Sequence, residues 1–295
     1  MAGLEATLLL ALQAVFSGIL VGSVYGVLSI GLSLAFGVMR IVNFAHGELV
    51  MYGMFAGVIA STAFGIEPLL ILPLSFLLTA LVGMAQYQIV FRHFVGHATL
   101  NQLLAAIGCA LVLQMVAQLI FGPDARTATS MFSGQYVVIG SFFLSKAQIV
   151  AFVIAVLATL AVEVLLRGTA WGKSVRAVAD DLEAAEVVGI NSATINVLAF
   201  ALACGLAGMA GTVLVTYFPT SPSTGFMLMP IIIIATTIGG LGSISGTFLG
   251  GIFCGVIQQL TAMLWNPALQ DVFLYILLML FIAYRPTGFF GVRSE

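Results

Sequence analysis

The sequence predicts an all-α fold: a polytopic transmembrane helical bundle of about eight or nine spans, with one short helix at the cytoplasmic surface and candidate re-entrant breaks. Hydrophobic residues make up 61% of the 295 residues and charged residues only 7%, against roughly 25% charged in an ordinary soluble domain. Several apolar runs approach the ~20 residues with which a helix crosses a bilayer. None alternates polar and apolar residues as a membrane barrel does, so the whole chain, 1–295, is expected to form one transmembrane domain.

Nine apolar stretches are the candidate spans. The stretch 227–238 is too short to cross a bilayer alone, and the last stretch is marginal. The first is expected to be a retained helix, because the N-terminus lacks a positively charged region and carries Glu5. The nine stretches are residues 8–36, 49–64, 69–91, 103–121, 149–166, 195–218, 227–238, 247–265 and 272–284.

Basic residues lie in alternate connections, and this sets the orientation because Lys and Arg accumulate on the cytoplasmic side. An N-terminus outside and a C-terminus inside fits the pattern, although Arg126 and Lys146 go against it. This orientation requires an odd number of crossings, so the region 227–265 must cross twice or a break elsewhere must change the count. The residues expected in the cytoplasm are Arg40, Arg92, His93, His97, Arg167, Lys173, Arg176, Arg285 and Arg293.

The sequence lacks the features that several other classes of protein require. The net charge is −2, and there is no basic patch of the kind that binds nucleic acid. No metal-ligand spacing occurs, and no nucleophile, base and orienting group are clustered as in an enzyme. The stretch "GTAWGKS" (168–174) resembles a phosphate-binding loop, but three residues instead of four separate its first two glycines and an apolar helix precedes it. No nucleotide site is therefore expected in this chain.

Charge is concentrated in one connection, 167–191, which holds seven of the twenty charged residues. Within it, apolar residues of 173–188 recur at spacings of three and four, which predicts a single amphipathic helix, ended by Gly189 and Asn191. Its acidic polar face suits a protein partner better than anionic lipid, and Arg176 is spaced to pair with Asp180. The apolar residues are Val175, Val178, Leu182 and Ala185, and the polar ones are Lys173, Arg176, Asp180, Asp181, Glu183 and Glu186.

Three motifs together carry a family resemblance. They are "GLSLAFGVMRIVNFAHGELVMYG", "GKSVRAVADDLEAAEVVGIN" and "IGGLGSISGTFLGG". The chain resembles, over residues 12–290, the inner-membrane permease family of high-affinity branched-chain amino acid ABC importers, the H-type subunit. Its "EAAEVVG" is similar to the start of the EAA-x-x-x-G loop with which ABC-importer permeases dock on their ATPase subunits, and the later I-x-L-P part is absent.

The resemblance implies a set of partners and a location. The partners are a second permease subunit, two cytoplasmic ATPase subunits and a periplasmic binding protein, and the location is a bacterial inner membrane. The chain itself would bind no cofactor, since ATP is used by the ATPase subunits. The resemblance also implies that the predicted helix in 167–191 couples the permease to the ATPase, through Lys173, Arg176, Asp180, Glu183, Glu186 and Gly189.

Polar residues Asn43, His46 and Glu48 interrupt the apolar sequence between the first two spans. Asn43 is a plausible N-cap for a helix beginning near His46, and a carboxylate in the first turn is favoured by the helix dipole. The segment is therefore either a capped cytoplasmic turn or a broken helix that dips into the membrane beside a water-filled path. Both alternatives remain open from the sequence, and the second places these three residues on the translocation path.

A glycine-rich stretch, 236–251, holds six glycines. Because glycine permits positive φ and close backbone approach, this stretch is not expected to be one regular helix. It is either a tight cytoplasmic turn or, the alternative we favour, a second re-entrant break with Gly239, Gly240 and Gly242 on the path.

Amides and small residues within the spans indicate which faces are covered. Gln114 and Gln118 lie on one face of the fourth span and are expected to face the bundle interior or the path. Gly18, Gly22 and Gly26 lie at i+4 steps on the first span, a pattern typical of close helix packing, either inside the subunit, which we favour, or against the partner permease.

Two functional classes remain. One is the permease subunit of an ATP-driven importer, forming the path for branched-chain amino acids or a related small polar solute. The other is a secondary transporter or channel for a small solute of the urea or amide kind. Ion-coupled transporters commonly bury a carboxylate or histidine near the membrane midplane, whereas every Asp and Glu here lies at or near the end of a predicted span. The first class is therefore favoured, and the solute is left open.

Overall fold

Eleven α-helices and one β-hairpin make up the computed structural model of the chain, which describes residues 2–284 and 288–290. Arg285 and Arg293, which support the predicted orientation, lie outside the described residues. The hairpin consists of β1 (Tyr136–Ile139) and β2 (Phe142–Ser145), paired antiparallel with Tyr136 opposite Ser145. The helices are α1 (Ala2–Met39), α2 (His46–Ala63), α3 (Leu72–Ile89), α4 (Thr99–Phe121), α5 (Lys146–Gly168), α6 (Ala170–Asp180), α7 (Leu182–Val187), α8 (Ser192–Leu214), α9 (Thr224–Gly239), α10 (Ile244–Leu264) and α11 (Gln270–Tyr284).

The predicted helical bundle is confirmed, and each of the nine apolar stretches falls on a helix. Among the described residues, seven helices are long and apolar enough to cross a membrane. The other two stretches form α2, with 18 residues, and α9, with 16. Together with the non-helical segments before them, α2 and α9 carry the chain from one end of the bundle to the other. Between residues 2 and 284 the chain thus runs nine times between the two ends, an odd number.

Helix α1 packs antiparallel against α10 through the glycines that the sequence singled out. A Cβ atom on Gly18 would lie 2.5 Å from the Cα of Val256, and one on Gly22 would lie 2.7 Å from the Cα of Ile252. Small residues allow this approach, which gives van der Waals contact where lipid supplies no hydrophobic drive. The expected role of these glycines in packing inside the subunit is confirmed.

Helix α8, like α1, lies at the centre of the bundle, and its glycines contact α2 and α3. A Cβ on Gly208 would lie 2.2 Å from the hydroxyl oxygen of Thr79 in α3, and one on Gly211 would lie 2.1 Å from the carbonyl oxygen of Val50 in α2. Helices α4 and α11 are peripheral, since only 17% and 6% of their apolar windows are buried.

The connection between α4 and α5 covers one end of the bundle. Its Ser130 hydroxyl and Met131 backbone N–H donate to the two carboxylate oxygens of Glu67, at 2.5 and 2.8 Å. Earlier in the connection, the backbone N–H of Arg126 donates to the carbonyl of Thr220 at 2.7 Å, and the N–H of Thr220 donates to the carbonyl of Arg126 at 2.8 Å. These contacts attach the connection to the ends of α2 and α8, so it forms a fixed layer on what the sequence predicts to be the outer face.

Candidate translocation path and coupling surface

The second helix begins in the middle of the bundle. The imidazole Nε2 of His46, the first residue of α2, lies 2.9 Å from the carbonyl oxygen of Leu28 in α1. Because a carbonyl can only accept, this nitrogen carries the proton. Eleven residues separate Leu28 from the end of α1 at Met39, about 16 Å of helix. The chain therefore turns back along α1 before α2 starts, as the broken-helix alternative predicted.

The turn that sends the chain back is made at Arg40. This residue has φ +56°, the one positive φ among the described residues other than glycine. Its backbone N–H donates to the carbonyl of Phe36 at 2.8 Å, which ends α1 in the left-handed conformation usual for a helix stop.

Helix α9 begins at the same point as α2. A Cβ on Gly47 would lie only 2.2 Å from the carbonyl oxygen of Gly225, the second residue of α9. From this junction the two helices run in opposite directions. Gly57 of α2 approaches Val215, beyond the C-terminal end of α8, whereas Gly239 of α9 approaches Gly246 at the start of α10. We call this meeting of Asn43–Glu48 with Thr224 and Gly225 the helix junction.

Polar side chains are buried at the helix junction. Asn43, His46 and Glu48 are each 1% exposed. The prediction that Asn43 is an N-cap is wrong: the N-cap of α2 is Ala45, and Asn43 Oδ1 accepts from the backbone N–H of Ala45 at 3.0 Å, one residue before the helix. Within the described part of the chain, the amide nitrogen of Asn43 and one carboxyl oxygen of Glu48 have no hydrogen-bond partner.

Glu48 faces the N-termini of two helices. It lies in the first turn of α2, and a Cβ on Gly225 would be 2.6 Å from its Oε2. Each helix N-terminus carries about half a positive charge, so a carboxyl group here offsets the repulsion between two ends that meet. This position also corrects the expectation that every carboxylate lies at the end of a span, because Glu48 follows by two residues the contact of His46 with Leu28, inside α1.

Three of the six glycines of 236–251 lie at a tight turn at the opposite end of α9, and the other three lie in α10. Gly239 is the last residue of α9, and Gly240 and Gly242 have φ +102° and +86°. The backbone N–H groups of Phe289 and Phe290 donate to the carbonyls of Ile238 and Gly239, at 2.9 and 3.2 Å. The C-terminal segment therefore covers this turn, and the three glycines lie away from the helix junction. The stretch is thus the tight turn, and not the second re-entrant break that we favoured from the sequence.

The two glutamines of α4 lie on the edge of the bundle. Gln114 is partly buried and Gln118 is exposed. Of the two expected places, the interior of the bundle is excluded for Gln118, because α4 packs on its neighbours through few residues. The residues predicted for the translocation path thus occupy three separate places in the structure.

The predicted coupling helix is not a single helix. Residues 173–188 form the second part of α6 and all of α7, separated at Asp181, which has extended φ and ψ of −151° and 107°. The carboxylate of Asp181 accepts from the backbone N–H of Ala184 at 3.0 Å and caps α7. The signal that sequence reasoning missed is this N-cap, since Asp is among the residues favoured there.

The break changes which side chains are buried. Val175, Val178 and Ala185 are 2–3% exposed, as the amphipathic pattern predicted, but Leu182 is 43% exposed. Val187 and Val188, which the pattern did not mark, are 87% and 75% exposed. Helix α7 thus presents apolar side chains outward next to acidic ones.

All six predicted coupling residues are exposed, and two of them have structural partners. The Arg176 guanidinium donates to the carbonyl of Leu166 at the end of α5 and does not pair with Asp180. The Ser192 hydroxyl donates to the Glu186 carboxylate. Within the described chain, no partner is found for the side chains of Lys173, Asp180 and Glu183. The six residues are Lys173, Arg176, Asp180, Glu183, Glu186 and Gly189.

Gly189 ends α7 in the manner that the sequence predicted. It has φ +87°. Its N–H donates to the carbonyl of Glu186, and the N–H of Ile190 donates to that of Ala185, both at 3.0 Å, which is the Schellman arrangement. Asn191 then caps α8, accepting from the N–H of Thr194 at 3.1 Å. The segment from α5 to α8 is therefore fixed at every turn.

A bundle of long apolar helices, interrupted at its centre by two shorter helices that meet at their N-termini, is the architecture of a multi-pass membrane transport protein. The family model described as "Branched-chain amino acid transport system / permease component" matches residues 14–282. The chain belongs to this family.

Named relatives match over nearly the whole chain. The "High-affinity branched-chain amino acid transport system permease protein LivH" of Escherichia coli (strain K12) is 31% identical over 95% of both chains. The corresponding protein BraD of Pseudomonas aeruginosa is 30% identical, again over 95% of both. A "Probable branched-chain amino acid transport permease protein LivH" of Methanocaldococcus jannaschii is 26% identical over 79% of this chain and 75% of its own. No solved structure matches the chain.

Proposed function

We propose that this protein is the membrane-spanning permease subunit of an ATP-driven importer for branched-chain amino acids, in a bacterial inner membrane. The family and the names of the relatives support the transport role and the class of solute. In this proposal the chain has no ATPase site of its own and binds no cofactor. Its partners are a second permease subunit, two ATPase subunits that use ATP, and a periplasmic binding protein.

The single observation that carries the coupling role is the outer surface of α7. Val187 and Val188 are almost fully exposed beside the free carboxylate of Glu183. Apolar side chains exposed together on a polar surface mark an interaction site. The caps at Asp181 and Asn191 hold this surface in one position, so a partner that moves α7 also moves α5 and α8.

The translocation route in this proposal passes the helix junction. Two helices that start there leave buried polar groups without partners, and irregular backbone at this depth is tolerated only beside protein or water. Asn43, His46 and Glu48 would act at the junction, while Gly239, Gly240 and Gly242 would allow the cytoplasmic end of α9 to turn. Gln114 and Gln118 would meet the partner permease, because α4 leaves them at the edge.

Reconstitution tests the proposal. The complex of this chain with its partner permease and ATPase subunits, in vesicles loaded with ATP, should accumulate ¹⁴C-leucine when the binding protein is added outside. ADP in place of ATP, or a hydrolysis-deficient ATPase subunit, is the matched control and should abolish accumulation. Leucine uptake by this chain alone, driven by a sodium or proton gradient, would overturn the proposal.

The secondary-transporter alternative now has one observation in its favour. A buried carboxyl without a basic partner, inside the bundle at the start of α2, is the kind of group that ion-coupled carriers use. The same vesicles decide between the two. Uptake that depends on a gradient and is lost in Glu48→Gln, with ATP irrelevant, would establish the alternative.

A further inference from the structure

A cavity of about 600 Å³ lies under the connection between α4 and α5, at the end of the bundle opposite α6 and α7. Four parts of the chain form it: α1, the α4–α5 connection, the start of α5 and the segment after α8. Its volume falls in the range of about 300–1,000 Å³ that is usual for small-molecule sites. Its lining includes Ser17, Thr127, Ser133, Tyr136, Phe143 and Gln148.

The lining is polar but uncharged. The side chains of Ser17, Thr127 and Gln148 face the cavity and have no hydrogen-bond partner within the described chain, so they are free to bind a ligand. The aromatic rings of Tyr136 and Phe143 supply apolar surface on the same walls. None of the residues that line the cavity is Asp, Glu, Lys, Arg or His.

The roof of the cavity is fixed. The Ser133 hydroxyl donates to the carbonyl of Thr216 at 2.9 Å, and the amide of Gln13 in α1 donates to the carbonyl of Phe143 at 3.3 Å. Glu67 holds the preceding part of the connection, as described above. A cavity with fixed walls loses little order when a ligand binds, which favours affinity.

One wall leads directly to the helix junction. Residues 215–219 line the cavity, and the same segment continues to Gly225, which contacts α2 at Gly47. A ligand in the cavity therefore touches the segment that positions the N-terminus of α9. The cavity and the junction are connected through fewer than ten residues of chain.

We propose that this cavity is a solute-binding site of the permease itself, which takes a small zwitterion with an apolar side chain. Hydroxyl and amide groups would bind the ammonium and carboxylate of the solute, and the rings would contact its side chain. A solute with a charged side chain would be excluded, because the lining of the cavity has no residue of opposite charge to pair with it. The inference rests on the proposed function, and it adds that selection occurs in this chain as well as in the binding protein.

Thiol protection tests occupancy. Ser17→Cys, in a chain whose three native cysteines are replaced, is reacted in the assembled complex with a membrane-impermeant methanethiosulfonate, without binding protein. L-leucine at ten times its dissociation constant should slow the reaction about tenfold, and L-lysine should not. Ile66→Cys, which is 41% exposed on the same face and outside the cavity, should react at one rate in all conditions. Equal rates at position 17 with and without L-leucine would overturn the proposal.

Filling the cavity tests its use. Ser17→Trp should lower leucine uptake by at least about tenfold, the lower end of what one misplaced group costs in a ligand pocket, while the complex still assembles and hydrolyses ATP. Leu12→Trp, on the same helix and 41% exposed, is the control and should transport normally. Normal uptake by Ser17→Trp would overturn the cavity proposal and leave the importer proposal intact. Absence of leucine uptake by the wild-type complex would instead overturn the importer proposal and with it the cavity.

Discussion

Glu48 is the residue on which the helix junction depends. Its carboxyl group is 1% exposed and faces the N-termini of both α2 and α9. A negative charge near a single exposed helix N-terminus stabilises by about 0.3–1 kcal/mol, and by up to about 2 kcal/mol where it is buried. At the helix junction this attraction offsets part of the cost of burying the carboxyl group, whose Oε2 has no hydrogen-bond partner within the described chain.

Glu48→Gln should lower the free energy of unfolding of the purified subunit by about 1–2 kcal/mol. The matched control is Glu5→Gln, because Glu5 also lies in a first helical turn but is exposed at the start of α1. That variant should cost less than about 0.5 kcal/mol. Denaturation in detergent, followed by circular dichroism, measures both. No difference between the two variants would mean that the folded protein does not hold a charged carboxylate at the junction.

Single residues also show where sequence reasoning stops. The sequence shows the polar interruption at Asn43–Glu48, and its polar side chains are buried in the structure. Whether the segment was a surface turn or a break inside the bundle could not be decided, because that depends on the contact of Gly47 with Gly225, which are 178 positions apart. The turn at Arg40 could not be predicted from the sequence, because arginine is not a residue favoured at positive φ.

At the scale of elements, the local sequence pattern predicted which stretches are helical, but it did not predict how the helices are divided and arranged. All nine apolar stretches became helices, since a run of apolar residues in lipid must satisfy its backbone within itself. The break between α6 and α7 was missed because the amphipathic period continues across Asp181 and hides its capping role. The exposed surface of α7 follows from that break, so it could not have been predicted from one continuous helix.

The stop at Gly189 should be essential for the position of α7. Gly189→Val should destabilise the Schellman turn, because a side chain at φ +87° costs about 1–2 kcal/mol and a β-branched one more. Gly189→Asn is the control, since asparagine tolerates this conformation. Co-purification with the ATPase subunits should be lost in the first variant and kept in the second. Equal retention in both would show that the turn does not position the docking surface.

The C-terminal segment should depend on the close approach of Gly288 to the glycine-rich turn. A Cβ on Gly288 would lie 2.5 Å from the Cα of Gly240, whereas one on Gly140 would meet nothing within 4 Å, and both have positive φ. Gly288→Ala should therefore lose the contact of Phe289 with α9, and Gly140→Ala should suffer only the conformational cost of about 1 kcal/mol.

Hydrogen exchange at the backbone N–H of Phe289 and Phe290 measures that contact. Exchange should become faster in Gly288→Ala and stay unchanged in Gly140→Ala. Slow exchange in both variants would mean that the segment reaches the turn without the glycine.

The whole molecule places two features at opposite ends of one bundle. The charged helices α6 and α7 lie at one end, and the roofed cavity lies at the other. Between them, α2 and α9 meet head to head at the helix junction. Helix α8 connects α7 to the centre of the bundle, where its Gly208 and Gly211 contact α3 and α2. In the function we propose, this connection would couple ATP hydrolysis to a change at the end that holds the cavity.

The most direct test of this account is the number of leucine molecules accumulated per ATP hydrolysed in reconstituted vesicles. Val187→Lys together with Glu183→Lys alters the outer surface of α7 without touching a capping residue. Phe64→Lys is the control, since Phe64 is 71% exposed at the opposite end of the bundle. The account predicts that the double variant inserts and pairs with its partner permease but hydrolyses ATP without accumulating leucine, while Phe64→Lys matches the wild type. Wild-type accumulation per ATP in the double variant would contradict the claim that α7 carries the coupling.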